Sequence, residues 1–198
     1  SRFVKEYKLP ILIVLISKII ILFFLGPLSA YIIPNSRINN LNVWELWNVW
    51  DARHYVNIAV SNYHRASNDE AVLIGFLPLL PLLMFAFKSI LHTSALVAGY
   101  IVSTIATILL CIVLYKLVLL DYSRKMAMLT ILMLFIFPTS FFLHIPYTES
   151  LFILLSVSAF YFVRKRYYWI SFLCIGLATF TKIAGLALIP AIFIEILF

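Results

Sequence analysis

Residues 94–120, SALVAGYIVSTIATILLCIVLYKLVLL, form an apolar run in which Lys116 is the one charged residue. An α-helix needs about 20 apolar residues to cross the hydrocarbon core of a bilayer. The whole chain of 198 residues has the same character, with 64 % hydrophobic and 12 % charged residues and a mean hydropathy of +1.06. A soluble domain is about half apolar and a quarter charged. The composition therefore excludes a water-soluble fold and predicts an all-α, polytopic transmembrane helix bundle.

The candidate membrane spans are the apolar stretches of the chain, and the last of them are short, so they are expected to lie nearly upright or to include residues from their flanks. The candidate spans are Leu9–Ile33, Ser94–Leu120, Met126–Leu143, Ser150–Val163, Tyr168–Phe180 and Ile183–Phe198. We expect residues 1–198 to form a single transmembrane domain, the N-terminal part of a longer protein, because the chain ends inside an apolar run. Cys111 and Cys174 lie in apolar segments and have neither disulfide nor metal-site spacing.

Lysine and arginine set the expected orientation, because short cytoplasmic loops are enriched in these residues. The basic residues before the first span and the cluster Arg164–Arg166 are both predicted to be cytoplasmic. An even number of crossings must then separate them, which holds if the proline-containing stretch Ile74–Leu91 lies at the outer surface without crossing. Residues 34–93 then form an outer loop with interfacial helices. The net charge of +7 reflects this loop bias, so the expected partner is the lipid bilayer and not nucleic acid.

This topology places nearly every chemically useful polar side chain on the non-cytoplasmic face. The three regions concerned are the polar stretch 35–70, the turn HIPYTES at 144–150 and the pair Thr181–Lys182. We therefore expect an active site at the outer edge of a multi-pass integral membrane protein. The membrane would be the plasma membrane of a prokaryote or the endoplasmic reticulum of a eukaryote.

The segment NVWELWNVWDARHYVNIAV, residues 42–60, carries a candidate general base. Trp44, Trp47 and Trp50 recur every three residues, which predicts an interfacial helix with a tryptophan stripe. Asp51 and His54 are three residues apart and share a helix face. Aromatic neighbours desolvate a carboxylate and can tune it as a base. The alternative is an ordinary solvated face of an interfacial helix.

The segment FPTSFFLHIPYTESLF, residues 137–152, carries a second candidate acid. Thr148 is predicted to cap the following helix, with Glu149 in its first turn, where the helix dipole favours a carboxylate. That capping role is the structural alternative to a functional one. An acid at the rim of a bundle in lipid is costly, and such residues are usually functional. His144 alone is more typical of a satisfied interfacial histidine than of a ligand.

Lys182 lies between apolar segments, and two interpretations of it stay open. Its ammonium either snorkels to the interface or faces the bundle and binds a phosphate. Lys18 is expected to snorkel at the inner leaflet, and Glu195 to lie at the inner end of the last helix. An acid–base group, a second acid and a cation at one edge suit transfer of a group from a lipid-linked phosphate to a hydroxyl. No ligand cluster calls for a metal or cofactor, and none is expected.

Four blocks of the sequence resemble the PIG-V-type mannosyltransferases, in the order in which that family has them. They are Trp50-Asp51-x-x-His54-Tyr55, similar to WDxxHY; Phe76-Leu77-Pro78-Leu79-Leu80-Pro81, similar to FFPLYP; Pro138–Phe142 with Tyr147–Phe152, similar to PxSxFF…YTESLF; and Gly176–Ala178 with Thr181, Lys182 and Gly185, similar to GxxxxxTRxxG. Lys182 stands where the family often has arginine, so a forked phosphate contact would become a single-point contact.

This resemblance implies a GT-C glycosyltransferase that is related to the enzymes of GPI-anchor biosynthesis. The enzyme would transfer a sugar, with mannose as the first expectation, from a polyprenyl- or dolichyl-phosphate donor to a hydroxyl of a glycolipid, glycan or protein. The configuration at the anomeric carbon would invert, and no metal would be needed. It implies that Asp51 is the base and that His54 and Glu149 are active-site residues. The substrate- or phosphate-binding residues would be Lys182, Arg53, Tyr55, Tyr147, His144 and Trp50.

Two alternatives remain at the level of sequence. One is a related GT-C enzyme with another sugar or with a protein acceptor. The other is a lipid or solute transporter with an outward-facing polar site. Transporters usually place charged residues near the bilayer midplane and often have repeated halves. Here the candidate residues cluster at one predicted surface and no repeat is visible, which favours the transferase.

Overall fold

The computed structural model describes residues 2–32, 43–63 and 75–197, and within these ranges the chain is helical and contains no strand. This confirms the predicted all-α class. The helices are α1 (Arg2–Ile19), α2 (Gly26–Ile32), α3 (Asp51–Ser61), α4 (Leu79–Leu91), α5 (Ala95–Val118), α6 (Arg124–Ile136), α7 (Glu149–Arg164), α8 (Tyr168–Thr181) and α9 (Leu188–Leu197). A π-helical segment, Ile20–Leu25, joins α1 to α2, and short 3₁₀ turns occupy Glu45–Trp47, Pro138–Leu143 and Ile183–Ala187.

Helix α5 lies at the centre of the packing and contacts α1, α4, α6 and α7. Two helical segments of the described chain, Tyr7–Leu28 and Ala95–Val118, are long and apolar enough to cross a membrane by length and composition. The apolar helices α4 and α8 and the segment Ile183–Leu197 are shorter. Helix α7 packs against both α5 and α8, and α9 packs on α7, so α7 connects the last helices to α5.

Two of the predicted spans are not single helices. The stretch Met126–Leu143 is α-helical only to Ile136, and a 3₁₀ turn begins at Pro138. A residue that precedes proline is disfavoured in the α conformation, and Phe137 is extended. The last stretch, Ile183–Phe198, likewise starts with a 3₁₀ turn before α9 begins at Leu188. Length and hydropathy alone did not predict these breaks.

The outer-loop prediction for residues 34–93 falls partly outside the described chain, because residues 33–42 and 64–74 are not described. Within the described part, α4 covers most of the stretch Ile74–Leu91 and ends at His92, whose left-handed backbone (φ 50°) caps the helix. This helix packs on α3 and α5. Its non-crossing position stays a prediction.

The prediction of one interfacial helix with a tryptophan stripe is wrong. The chain makes a 3₁₀ turn at Glu45–Trp47 and then bends, and Trp50 has a φ of 48°, which bulky residues rarely adopt. The rings consequently do not share a face. Trp44 lies edge-on against Tyr100 with ring centroids 5.1 Å apart, Trp47 packs on Phe141, and Trp50 is 66 % exposed.

The turn Leu143–Ile145 between α6 and α7 is stabilised by side chains from two other helices. Thr107 Oγ1 of α5 donates to the first carbonyl of the turn at 2.6 Å, and Ser103 Oγ donates to the third at 2.6 Å. Lys18 Nζ of α1 donates to the middle carbonyl at 2.9 Å. Irregular backbone in an apolar environment is tolerated only where its polar groups are hydrogen-bonded. These three donors therefore allow a non-helical turn to be buried inside the bundle.

The expectation that Lys18 snorkels at the inner leaflet is wrong. Its ammonium donates to the carbonyl of His144 and lies over the ring of Tyr100, 5.7 Å from the ring centroid. The sequence did not predict that the turn following α6 would contact the last turn of α1. At the other end of the bundle, Arg164 pairs with Asp121 and with Glu195, whose Oε1 lies 3.1 Å from its Nε. Glu195 thus lies at the same end of the bundle as the basic cluster, and the assignment of that end to the inner side stays a prediction.

Replacing Thr107 with valine should destabilise the fold, because it removes one donor to the buried turn while keeping the shape of the side chain. We expect a loss of about 1–3 kcal/mol, the usual cost of leaving a buried polar group without a partner. Thermal unfolding in detergent measures this. Thr130→Val is the matched control, since Thr130 is only half-buried and bonds within its own helix. Equal melting temperatures for the two variants would contradict this role of Thr107.

Candidate active site

A cavity of about 530 Å³ brings together three of the four sequence blocks. Its lining residues are Asp51 and Tyr55 from α3, Gly75, Phe76 and Leu77 from the segment before α4, and Thr181, Lys182, Ile183 and Ala184 from the break after α8. The predicted base and the predicted phosphate-binding cation therefore line the same cavity, although they are far apart in sequence. The cavity offers an anionic and a cationic group within an otherwise largely apolar wall.

The bend before α3 exposes Asp51 at the cavity. The positive φ of Trp50 turns the chain, and α3 begins at Asp51, which lies in its first turn. Arg53 stabilises this bend, because its Nε donates to the carbonyl of Asn48 at 2.7 Å. Neither Arg53 nor Trp50 lines the cavity. The structure thus gives Arg53 a contact to the backbone and does not bring these two predicted substrate contacts to the cavity.

Phe76 is packed between two residues of the first block. The ring of His54 stacks on it with centroids 4.7 Å apart, and the ring of Tyr55 meets it edge-on at 5.1 Å. His54 Nδ1 is buried and has no hydrogen-bond partner within the described part of the chain. His54 itself does not line the cavity. Phe76 was quoted only as part of a motif, yet it forms the wall that fixes both neighbouring side chains.

Lys182 forms an ion pair with Glu149 of α7. Helix α8 ends at Thr181, the backbone of Lys182 is extended, and its Nζ lies 2.6 Å from Oε1 of Glu149. The two side chains are 36 % and 27 % exposed, so the ion pair is half-buried. The break needs Gly185, because a Cβ there would lie 2.4 Å from the backbone nitrogen of Thr179. The predicted second acid, Glu149, and the predicted cation, Lys182, are therefore in direct contact.

Glu149 lies in the first turn of α7, as predicted, but Thr148 does not cap that helix through its side chain. Thr148 has helical dihedrals (φ −74°, ψ −16°), and a capping residue needs an extended backbone to direct its oxygen at the free amides. The Thr148 side chain is buried instead, close to Tyr55. Burial raises the pKa of Tyr55 to about 12, so its hydroxyl stays protonated at neutral pH.

Tyr147 connects the turn before α7 to the bend before α3. Its hydroxyl donates to the carbonyl of Val49 at 3.1 Å, and burial raises its pKa to about 12. His144 is fully buried, with Nε2 3.2 Å from the hydroxyl of Ser17. Neither Tyr147 nor His144 lines the cavity. Nδ1 of His144 is buried and has no hydrogen-bond partner among the described residues, so the satisfied histidine that the sequence favoured stays a prediction.

A second cavity, of about 340 Å³, adjoins the ion pair through Glu149. Its other lining residues are Met133, Leu134, Phe137, Thr139, Ser140, Phe142, Leu143 and Ile153. Oε2 of Glu149 is buried and has no hydrogen-bond partner among the described residues. The described ranges also contain no group of three His, Cys, Asp or Glu side chains arranged to hold a metal ion.

The described chain is helical and apolar, and an acid and a cation line one of its cavities, which are features compatible with an enzyme of the membrane. The family model described as mannosyltransferase (PIG-V) matches residues 11–197, and the chain therefore belongs to this mannosyltransferase family. The family is one of glycosyltransferases of the membrane. No curated protein and no solved structure matches the chain.

Replacing Gly185 with alanine should disrupt the break that presents Lys182, because the added methyl group would overlap the backbone of residues 178 and 179. We expect a destabilisation of about 1–3 kcal/mol, typical of overpacking. Gly176→Ala is the matched control, since a Cβ at Gly176 meets nothing within 4 Å. Thermal unfolding of both variants measures the difference. A Gly185→Ala protein as stable as the control would show that the break tolerates a side chain.

Proposed function

We propose that this protein is a GT-C mannosyltransferase that uses a polyprenyl- or dolichyl-phosphate mannose donor. The acceptor is a hydroxyl of a glycolipid, glycan or protein, and Asp51 is the base. The observation that supports this most is the cavity that Asp51 and Lys182 share, in a chain that belongs to the PIG-V mannosyltransferase family. Membership of that family also favours a transferase over the transporter alternative.

In the proposed reaction the acceptor oxygen attacks the anomeric carbon on the face opposite the phosphate. Asp51 takes the proton of the acceptor hydroxyl as the new carbon–oxygen bond forms. The bond between the anomeric carbon and the phosphate oxygen breaks, and its electron pair stays on the phosphate, so the configuration inverts. The lipid phosphate is a weak base and leaves without a general acid. Lys182 stabilises the charge that develops on it.

Two further residues of the site have roles in this scheme. The Tyr55 hydroxyl stays protonated at neutral pH and can donate a hydrogen bond to a sugar oxygen in the cavity. Phe76 offers an aromatic wall to the apolar face of the sugar. His54 acts through Phe76, on which it stacks, and not through contact with substrate. No step requires a metal ion or another cofactor.

We place this site on the non-cytoplasmic side of a multi-pass protein. Glu149 and Lys182 lie at the ends of α7 and α8 that are opposite to the basic cluster Arg164–Arg166. These helices have 16 and 14 residues and are about 24 and 21 Å long. The hydrocarbon core is about 30 Å thick. In upright helices the ion pair would thus lie below the outer membrane surface, and the donor phosphate would descend to reach it. The described helices α3 and α4 would belong to the outer loop, residues 34–93, of one transmembrane domain, residues 1–198.

Replacing Asp51 with asparagine should abolish transfer, because the amide keeps the shape of the carboxylate but cannot accept the acceptor's proton. We expect a rate loss of about 10²–10⁴-fold, the usual contribution of a general base. The measurement is release of polyprenyl phosphate from radiolabelled polyprenyl-phosphate mannose in membranes that contain the protein. Binding of the donor should be largely unchanged.

The matched control is Asp121→Asn, which removes a carboxylate that pairs with Arg164 at the other end of the bundle. It should leave the transfer rate within about threefold of the wild type, as expected for an exposed ion pair. Transfer that survives in the Asp51→Asn protein to within tenfold would contradict the assignment of the base.

A further inference from the structure

The charges at the site do not balance for an anionic donor. Asp51 and Lys182 line the cavity, and Lys182 is the one cation among the described lining residues. Its ammonium is already paired with Glu149 at 2.6 Å. Arg53 does not line the cavity, and its Nε is bonded to the backbone carbonyl of Asn48. Asp51, Glu149 and Lys182 together therefore carry one excess negative charge before any phosphate arrives.

A phosphate that approached Lys182 with Glu149 still in place would meet a carboxylate at the same ammonium. Like charges that share a small, partly desolvated site repel strongly. The ion pair gains little stability for the fold in return, because pairs between partly exposed side chains are worth little. The contact between Glu149 and Lys182 is therefore better explained by its effect on anion binding at Lys182 than by a contribution to the stability of the fold.

We propose that Glu149 is a displaceable counterion, whose place on Lys182 is taken by the phosphate of the lipid donor. This rests on the proposed function and specifies how the phosphate site is regulated. The displaced carboxylate of Glu149 can rotate into the neighbouring cavity of about 340 Å³, which Glu149 already lines. Its Oε2 has no partner within the described chain. That cavity also exposes the hydroxyl-bearing residue Thr139. A rotation of one side chain exchanges the carboxylate for the phosphate without a change in the backbone.

The exchange gives the site selectivity for an anion that arrives on a lipid. Free phosphate or sulfate must compete with Glu149 by charge alone. A polyprenyl phosphate brings in addition the transfer free energy of its chain into the apolar surroundings, which is proportional to the apolar area removed from water. In the absence of the donor, Glu149 keeps the ammonium of Lys182 directed into the bundle and closed to other anions.

The test is equilibrium binding to the full chain in lipid nanodiscs, with a polyprenyl phosphate and the corresponding polyprenol as the two probes. Glu149→Gln should bind the phosphate about five- to tenfold more tightly than the wild type, the effect of removing one competing charge at a half-exposed site. Its affinity for the polyprenol should not change. Glu149→Met is a second neutral variant and should behave in the same way.

Two controls locate the effect at the ion pair. Lys182→Met, alone or combined with Glu149→Gln, should lose the preference for the phosphate over the polyprenol. Glu195→Gln removes a carboxylate that is also ion-paired, with Arg164 at the other end of the bundle, and should bind like the wild type. Thermal unfolding in the same nanodiscs checks that each variant is folded.

The outcomes separate this inference from the function on which it rests. In one outcome, the wild type prefers the phosphate and Lys182→Met loses that preference, but both Glu149 variants bind the phosphate no more tightly than the wild type. This outcome would overturn the displacement of Glu149 and leave the phosphate site in place. If the wild type binds polyprenol and polyprenyl phosphate equally, the phosphate site of the proposed function is overturned as well. Tighter phosphate binding by both Glu149 variants, abolished by Lys182→Met, is the expected result.

Discussion

Three consecutive carbonyl groups, in the turn Leu143–Ile145, need hydrogen-bond donors in a part of the bundle that is closed to water. Ser103, Thr107 and Lys18 supply these donors, and the position of the turn follows from where these side chains lie on α5 and α1. A helix that simply continued would have satisfied its own carbonyls, but Pro138 ends that possibility. The chain therefore forms an irregular, buried turn between α6 and α7, and the position of α7 depends on this turn.

The candidate active site is built outward from this turn. Tyr147 leaves the turn and bonds to Val49, which fixes the bend that presents Asp51. Glu149 begins the next helix and reaches Lys182 at the break after α8. The site thus has a rigid side, anchored on the turn, and an adjustable contact, the ion pair. In the proposed mechanism the rigid side positions the base, while the adjustable contact gives way to the donor phosphate.

The sequence predicted the all-α class, the extent of α7 and α8, the acid in the first turn of α7 and the grouping of Asp51, Glu149 and Lys182 at one edge. Periodicity alone could not show that Trp50 breaks the tryptophan segment, because a spacing of three is compatible with a helix and with a bend. It also missed the donors to the turn, although Ser103 and Thr107 lie four residues apart on an apolar helix, where hydroxyls often bond to neighbouring helices. The prediction for Lys18 was wrong because its hydrogen-bond partner is a backbone carbonyl, and such a partner cannot be identified from residue types.

The central claim is that the phosphate and sugar of a lipid donor occupy the cavity between Asp51 and Lys182. The most direct measurement is photo-crosslinking with a polyprenyl phosphate that carries a photoreactive group next to the phosphate, followed by peptide mapping. We predict that the label falls on residues 75–77 and 181–184, and that unlabelled polyprenyl phosphate prevents it while polyprenol does not. Labelling confined to other parts of the bundle, or equal protection by polyprenol, would contradict the claim.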